Sequence, residues 1–247
     1  MKRYAILLSA ALAGFVAGRA AAAPSADEVM ARVDANASFG TIRYVGRMEI
    51  VIGGETRVKT MRAVAQGSDK AFVEFTNPED RGTRYLKLGK KLWMYFPRER
   101  ETVPIAGELL KQGMMGSDLS YEDALESRDY KELYAASLAG EESVDGRACL
   151  IVRLEAKSEG APYASRVLWI DAERWVSLKE EMYARSGKLL KVSRSLDVER
   201  IEGRWFPTRV ELESKLRRGT RTIFAMESVK LDGPVDQREF TMGALTK

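Results

Sequence analysis

Three carboxylates stand close together in the segment QGMMGSDLSYEDA, residues 112–124, at Asp118, Glu122 and Asp123. Two carboxylates can serve as the acid and the base of a hydrolase when an apolar cleft raises the pKa of one and the other lies several ångströms away. Neighbours at one helix start do not by themselves supply that geometry. Ser120 lies three residues before Asp123, and acidic side chains in a first helical turn complement the free N–H groups there. We therefore expect Glu122 and Asp123 to begin a helix, with a carboxylate active site as the alternative.

The composition removes most other kinds of catalytic site. The chain has no histidine, so it has no Ser-His-Asp or Cys-His relay and lacks the commonest nitrogen ligand of zinc. The one cysteine, Cys149, lies in an alternating apolar stretch and is expected to be a small buried side chain rather than a reactive thiol. No glycine-rich phosphate loop is present. We predict that the protein is not an enzyme and that it has no catalytic residue, metal site or cofactor.

Residues 1–23 have the features of a secretory signal peptide. Lys2 and Arg3 precede an apolar run, which ends in small residues typical of a cleavage site. No later run approaches the roughly 18 to 20 apolar residues of a membrane-spanning helix. We predict a signal peptide at residues 1–23, a mature chain at residues 24–247, a periplasmic location and no stable membrane anchor.

The mature chain is almost electrically neutral. The whole sequence has 40 basic and 36 acidic residues, and Lys2, Arg3 and Arg19 lie in the predicted signal peptide. The small remaining positive charge argues against a nucleic-acid or anionic-membrane binder. The basic clusters around Arg43 and at residues 215–221 are interpreted as solvated strand faces.

Hydrophobic periodicity predicts a short helix followed by many strands. Ser25 and Glu28 have the capping-box spacing, and a helical apolar pattern follows them. From Thr41 onward, apolar and polar residues alternate in short runs that are separated by turn residues. Short connections favour antiparallel neighbours. The sequence therefore predicts one mainly β (α+β) domain, with a helix at about residues 26–37 and a continuous, strongly twisted antiparallel meander.

One region, at about residues 104–134, returns to helical spacing and predicts a helical insertion that crosses the sheet. It contains Met114 and Met115 between Gly113 and Gly116. Methionine side chains are flexible and polarizable, and they adapt to irregular apolar surfaces. The methionine pair is consistent either with ordinary core filling or with a lid over an apolar pocket.

Two motifs make the chain similar to a known superfamily. The segments GKKLWMYFP, residues 89–97, and MGSDLSYED, residues 115–123, resemble sequences of the outer membrane lipoprotein-sorting superfamily, the LolA- and LolB-like periplasmic carriers. The resemblance covers essentially the whole mature chain. It implies a single curved, unclosed antiparallel β-barrel with a helical lid across its concave face, and a cavity between them for acyl chains.

The candidate ligand-binding residues follow from this resemblance and from the strand LWMYF. Both faces of that strand are apolar, with Trp93 and Tyr95 on one side and Leu92 and Met94 on the other, as expected for a strand covered on both faces. One face can pack against a helix while the other lines the cavity, and the sequence leaves open which face does which. The predicted ligand-binding residues are Trp93, Tyr95, Leu109, Leu110, Met114 and Met115.

The chain departs from the typical carrier at one place. The arginine that holds the lid to the barrel in that carrier aligns near residues 66–70, where this chain has no arginine. The lid therefore need not open by the same switch. The passenger is either the acyl chain of a lipoprotein or another free lipid, such as a hopanoid.

The resemblance also suggests partners. Similar chains are associated with RND-type transporters of the inner membrane, so such a transporter is a candidate partner. We predict a monomeric carrier that moves a lipid or lipoprotein toward the outer membrane. The alternative is a cell-envelope assembly or interaction protein that acts with an RND-type transporter, pairs with a partner at its sheet edge and carries no lipid.

Overall fold

The structure, a computed structural model, describes residues 23–125 and 130–247. The predicted signal peptide, residues 1–23, lies outside the described residues except for Ala23. Thirteen antiparallel strands form one sheet. They are β1 (Thr41–Ile52), β2 (Glu55–Gln66), β3 (Lys70–Phe75), β4 (Arg84–Leu88), β5 (Lys91–Phe96), β6 (Glu101–Ile105), β7 (Tyr134–Val144), β8 (Arg147–Ala156), β9 (Ser165–Asp171), β10 (Ser177–Tyr183), β11 (Leu189–Ile201), β12 (Arg204–Ser214) and β13 (Thr220–Leu231).

The sheet consists of two meanders rather than the single one predicted. Its strand order is β6-β5-β4-β3-β2-β1-β13-β12-β11-β10-β9-β8-β7. Every short turn joins antiparallel neighbours, as predicted, and the two meanders meet where β1 pairs with β13. Strands β6 and β7 lie at opposite ends of this order and do not pair with each other in the described chain, so the curved barrel is unclosed.

Within residues 23–125 and 130–247, four short helices and three 3-10 turns accompany the sheet. The helices are α1 (Ala26–Ala37), α2 (Tyr121–Leu125), α3 (Tyr130–Leu133) and α4 (Met242–Leu245), and the 3-10 turns are Gly107–Lys111, Met114–Gly116 and Gln237–Phe240. No helix in residues 23–125 or 130–247 combines the length and apolar character that crossing a bilayer requires.

Helix α1 has the predicted bounds because its capping box forms. The Glu28 N–H donates to the Ser25 hydroxyl at 3.3 Å, and the Ser25 N–H donates to the Glu28 carboxylate at 2.7 Å. These two bonds satisfy N–H groups that a helix start otherwise leaves free. Val29, Met30 and Val33 then form the buried stripe of the helix.

The chain crosses from one end of the sheet to the other between β6 and β7. We call residues 106–133 the lid segment, of which residues 126–129 lie outside the described part. The predicted insertion began two residues too early, because Pro104 and Ile105 extend β6 and Ile105 pairs with Leu92. An edge strand tolerates proline because one side of its backbone has no strand partner.

Helix α1 and the lid segment lie on the same face of the sheet, which is the concave one. Residues that pair across neighbouring strands have their side chains on the same side of the sheet. The strand registers therefore place Met48 of β1, Phe224 of β13 and Leu168 of β9 on one face. Met48 packs in the cluster that the lid segment covers, and Leu168 packs in the cluster that α1 covers. The predicted helical cover of the concave face is therefore confirmed.

The C-terminal residues cover part of the convex face. Phe240 of the last 3-10 turn and Leu245 of α4 pack against Val64, Leu86 and Tyr95. Strand β5 is consequently covered on both faces, which explains why its sequence LWMYF lacks a polar face.

Candidate functional site

The lid segment closes one apolar part of the concave face. We call it the methionine lobe, and its buried members are Met48, Ile50, Met61, Phe75, Tyr85, Leu92, Met94, Ile105, Met114 and Tyr121. Leu110 and Met115 of the lid segment pack against it. Five of the ten methionines of the chain thus meet at one place. Unbranched thioether side chains change rotamer easily, so this lobe can adapt its shape better than a lobe of branched side chains.

Tyr85 of β4 contacts the lid segment at two points. Its hydroxyl donates to the Sδ of Met115 at 3.2 Å and lies 3.2 Å from the hydroxyl of Tyr121. The ring centroids of Tyr85 and Tyr121 are 5.8 Å apart. Burial, together with the neighbouring Tyr121, raises the pKa of Tyr85 far above its usual range. The phenol therefore stays neutral and serves as a hydrogen-bonding contact within an apolar surface.

Asp118 fastens the lid segment to β13. Its carboxylate accepts hydrogen bonds from the hydroxyls of Thr220 at 2.7 Å and Thr222 at 3.1 Å, and its N–H donates to Thr222 Oγ1 at 2.8 Å. The Asp118 side chain is fully buried. Because these three bonds join one residue to two neighbouring positions on a strand, they determine where the lid segment meets the sheet.

Arg217, in the turn between β12 and β13, holds the same stretch of the lid segment. Its guanidinium donates to the carbonyl oxygens of Gly116 at 3.3 Å and Ser117 at 3.1 Å, and lies 3.9 Å from the Asp118 carboxylate. The lid segment is therefore held by an arginine that lies far in sequence from residues 66–70, where the superfamily comparison had placed one.

Asp123 of α2 fastens the second half of the lid segment. It forms an ion pair with Lys191 of β11 and accepts a hydrogen bond from the Tyr163 hydroxyl at 2.5 Å. Burial raises the pKa of Asp123, but the charge and hydrogen bond of Lys191 and the hydrogen bonds of Tyr163 and Ser120 outweigh it, so the pKa lies below its usual value. Asp123 is consequently ionised at neutral pH.

Arg166 of β9 lies beside this ion pair and is almost completely buried. Its guanidinium pairs with Glu180 at 2.7 Å, and its Nε donates to the Tyr134 hydroxyl at 3.2 Å. The rings of Tyr130, Tyr134 and Tyr163 surround it, with centroids 5.3, 5.3 and 4.8 Å from the guanidinium carbon. Among the described residues, the Glu180 carboxylate and these three aromatic faces compensate the positive charge.

We call Asp123, Tyr163, Arg166, Glu180 and Lys191 the polar seam. It separates the methionine lobe from a second apolar lobe beneath α1, whose buried members are Val29, Met30, Val33, Tyr134, Val152, Leu154, Leu168 and Ile170. The concave face is therefore two apolar lobes with a charged boundary, rather than one continuous apolar surface. The charges of the seam are paired with one another, which stabilises the arrangement.

Two carboxylates of the lid segment, those of Asp118 and Asp123, have structural partners. Glu122 and Asp123 lie in the first turn of α2. The Asp123 N–H donates to the Ser120 hydroxyl oxygen at 3.2 Å, and the Ser120 N–H donates to the Asp123 carboxylate at 2.8 Å, so the predicted helix start is confirmed. Asp118 lies outside the helix and anchors the lid segment, a role that its sequence position did not indicate. A general acid requires a raised pKa, whereas the pKa of Asp123 is lowered.

The lid segment brings together three of the six predicted ligand-binding residues. Leu110, Met114 and Met115 pack into the methionine lobe. Leu109, in contrast, is 39% exposed. It therefore lies outside the set that contacts the lobe.

Trp93 and Tyr95 face away from the lid segment. Both pack on the convex side with Phe240 and the other members of that cluster, whereas Leu92 and Met94 of the same strand face the methionine lobe. The prediction that β5 is apolar on both faces is correct. The face of β5 that lies under the lid segment is the one with Leu92 and Met94, which were not among the predicted ligand-binding residues.

Sequence reasoning did not find the polar seam, although a signal for it exists. Arg166 alternates with Leu168 and Ile170 along β9 and is therefore in phase with apolar side chains that face the concave side. Lys87 of β4 follows the same rule, and its ammonium group donates to the Leu125 carbonyl oxygen at 2.9 Å. A charged residue in phase with a buried stripe thus indicates an internal polar contact.

Two surface cavities lie away from the methionine lobe. One, of about 620 Å³, lies between the turns at residues 157–164 and 184–188, and the other, of about 310 Å³, lies on the convex face near Arg43 and Phe72. In this conformation the side chains of the methionine lobe pack against one another and against the lid segment. Within the described residues, no three His, Cys, Asp or Glu side chains gather in a way that would hold a metal ion.

A protein-family profile with the description "uncharacterized protein" matches residues 67–247. The chain belongs to this family. Its structure is also similar to that of a DUF1329 family protein from Desulfovibrio piger, with a TM-score of 0.81 and 25% sequence identity, over 88% of this chain and 96% of that one. No curated protein matches the sequence.

Two further solved structures have the same fold as this chain. A domain named for outer membrane lipoprotein sorting, from Vibrio parahaemolyticus, has a TM-score of 0.76 and 20% identity, over 89% of this chain and 97% of that one. A LolA superfamily protein from Nitrosomonas europaea has a TM-score of 0.73 and 21% identity, over 90% of this chain and 100% of that one. The fold that the LolA-like resemblance implied, an open antiparallel half-barrel, is thereby confirmed.

Proposed function

We propose that the protein is a periplasmic carrier that holds an acyl chain between the methionine lobe and the lid segment. The chain belongs to a lipoprotein or to another lipid. The observation that supports this proposal most directly is the concentration of five methionines in one lobe, two of them on the covering segment itself. An adaptable apolar surface suits acyl chains, which differ in length and shape and offer no hydrogen-bonding groups for recognition.

In this proposal the structure corresponds to the closed position of the lid segment. Met114, Met115 and Leu110 occupy the space that the acyl chain would take, so loading requires these side chains to move outward with the lid segment. Each methylene that the lobe removes from water contributes about 0.8 kcal/mol, which offsets the loss of their packing. Cargo and lid side chains therefore compete for the same surface, and this competition also favours release.

The contacts that hold the lid segment suit a reversible cover. Asp118, Asp123 and Arg217 fasten it through hydrogen bonds and ion pairs, which water can replace when the segment moves. Two of the side chains that make its apolar contacts, Met114 and Met115, are flexible. No catalytic step belongs to this proposal, and an RND-type transporter of the inner membrane is the proposed donor or acceptor of the lipid.

Uptake of a fluorescent fatty-acid probe tests the proposal. Delipidated mature protein should bind the probe saturably, and a long-chain fatty acid should displace it, whereas glycerol phosphate, which has a polar head group and no acyl chain, should not. Met115→Glu should weaken probe binding strongly, because a carboxylate facing the lobe loses its hydration without gaining a partner.

The matched control is Met242→Glu, because Met242 is 42% exposed in α4 and lies far from the methionine lobe. This variant should bind the probe as wild type does. If the folded wild-type protein takes up no probe, or if both variants bind equally, the carrier proposal is wrong. The assembly or interaction protein without lipid carriage would then be the better interpretation.

A further inference from the structure

The hairpin turns at the two ends of the sheet differ in charge. One end consists of the turns at residues 53–54, 76–83, 97–100, 157–164, 184–188 and 215–219, which together hold nine Lys or Arg and four Asp or Glu. The turns at the other end, residues 67–69, 89–90, 145–146, 172–176 and 202–203, hold two basic and four acidic residues. The nearly neutral chain is therefore polarised along its strands. We call the first set the basic end.

Leu216 protrudes from the basic end. It is 60% exposed at the tip of the turn between β12 and β13, while the next most exposed large apolar side chains of the described residues, Leu138 and Met242, are 42% exposed. An exposed leucine alone needs no explanation. Leu216, however, lies within the sequence KLRRG and so has basic residues on both sides.

The cations around Leu216 differ in their partners. Lys215 pairs with Glu213 at 2.6 Å, and Arg217 contacts the lid segment. Arg218 has no hydrogen-bond or ion-pair partner among the described residues. The tip therefore presents an apolar side chain beside a guanidinium that is available to an anion.

The larger surface cavity opens at the same end. Its volume is about 620 Å³, and it lies between two turns of the basic end. Its lining combines apolar residues, such as Pro162 and Leu190, with Lys157 and with the ion pair of Arg185 and Glu159. The basic end thus offers both a protruding apolar tip and an amphipathic recess, which is the combination that the head-group region of a bilayer can match.

We propose that the basic end is a docking surface for an anionic lipid bilayer, with Leu216 inserted among the acyl chains and Arg218 at the phosphate level. The charge complementarity between this end and anionic head groups supports this partner, because attraction to an anionic surface acts on the charges nearest to it and is screened within about 10 Å. The small net charge of the whole chain argued against membrane binding. That net charge is the sum of two ends of opposite sign, however, and only the basic end faces the bilayer. Docking is peripheral and reversible, and it does not depend on the proposed acyl-chain carriage.

Vesicle co-sedimentation of the mature protein tests the docking surface. The probes are vesicles of phosphatidylcholine alone and vesicles that contain phosphatidylcholine and phosphatidylglycerol in equal amounts. Wild-type protein should bind the mixed vesicles and not the zwitterionic ones, and added salt should weaken binding. Leu216→Ser should reduce binding about ten-fold or more, because a buried leucine side chain contributes at least that factor. Arg218→Ser should reduce binding about five-fold.

Two control variants match these changes elsewhere on the surface. Leu196→Ser removes a leucine that is 41% exposed in the middle of β11, and Lys90→Ser removes a cation from a turn at the opposite end. Both should bind mixed vesicles as wild type does. Absence of binding to mixed vesicles, equal binding to both kinds of vesicle, or equal losses in Leu216→Ser and Leu196→Ser would each overturn the proposal.

Discussion

Lys191 of β11 and Asp123 of α2 form an ion pair across the concave face, with side chains that are 14% and 12% exposed. The pair lies in the polar seam, between the two apolar lobes, and joins the lid segment to the sheet. Removing one member of such a pair leaves a poorly solvated charge, which costs more than the pair contributes when both members are present.

Asp123→Asn should therefore destabilise the protein. The free energy of unfolding, measured by urea denaturation at neutral pH, should fall by about 3 kcal/mol because Lys191 loses its counter-charge. Adding Lys191→Met should recover part of this loss, since the double variant has no unpaired ammonium group. If Lys191→Met lowers the free energy of unfolding by the same amount in Asp123→Asn as in the wild type, the two residues are not coupled.

The same pair predicts how stability depends on pH. The pKa of Asp123 in the folded state lies below its usual value near 3.8. The ionised Asp123 side chain therefore contributes fully to the free energy of unfolding above that usual value. This contribution is lost as the pH falls through the lower pKa that Asp123 has in the folded state. Below about pH 4, the unfolding free energy of the wild type should decrease more steeply than that of Asp123→Asn. Parallel slopes in urea titrations across this range would contradict the assignment.

The contact at Asp118 allows a test of the first half of the lid segment. Asp118→Ala should lower the free energy of unfolding by about 1–3 kcal/mol, because the buried hydroxyls of Thr220 and Thr222 lose their acceptor. Asp118→Asn should cost less, since the amide keeps one oxygen acceptor and its NH₂ group can donate to a threonine oxygen. Urea denaturation compares the two variants. Equal losses would mean that the carboxylate charge, rather than hydrogen bonding, holds the lid segment.

Local signals explain which parts of the architecture were predictable. The capping box of Ser25 and Glu28 and the change to alternating apolar residues are short-range patterns, so α1 and the hairpins were predicted within narrow bounds. The pairing of β1 with β13 joins residues about 180 positions apart in sequence and has no local pattern, which is why one meander was expected instead of two. The same limit applies to Tyr95, because the residues that cover it, around Phe240, come from the far end of the chain.

The opposite faces of β5 predict different effects of neighbouring substitutions. Met94 faces the methionine lobe, and Trp93 packs on the convex side. Met94→Gln should weaken binding of the fatty-acid probe about ten-fold, because it places an amide without a partner in the lobe. Trp93→Leu should lower the free energy of unfolding by about 1–2 kcal/mol and leave probe affinity unchanged. If Trp93→Leu is fully folded but binds the probe more weakly than the wild type, the ligand-binding site lies on the convex face.

Two glycines of the lid segment predict how tightly its loop is closed. A Cβ added to Gly113 would lie 1.9 Å from the Ser117 carbonyl oxygen, whereas a Cβ on Gly116 would meet nothing within 4 Å and suffers only from the positive φ of 82°. Gly113→Ala should therefore separate the two arms of the loop, which are joined by the bonds from the Met114 N–H to Leu119 at 2.7 Å and from the Tyr121 N–H to Gln112 at 3.1 Å.

Hydrogen exchange measures this separation directly. The amides of Met114 and Tyr121 should exchange much faster in Gly113→Ala than in wild type, and probe uptake should be faster because the lid segment opens more readily. In Gly116→Ala, strain of about 1 kcal/mol should lower global stability without selectively exposing these two amides. If Gly113→Ala protects Met114 and Tyr121 as well as the wild type does, the loop accommodates the added methyl group without opening, and its close packing does not control access to the methionine lobe.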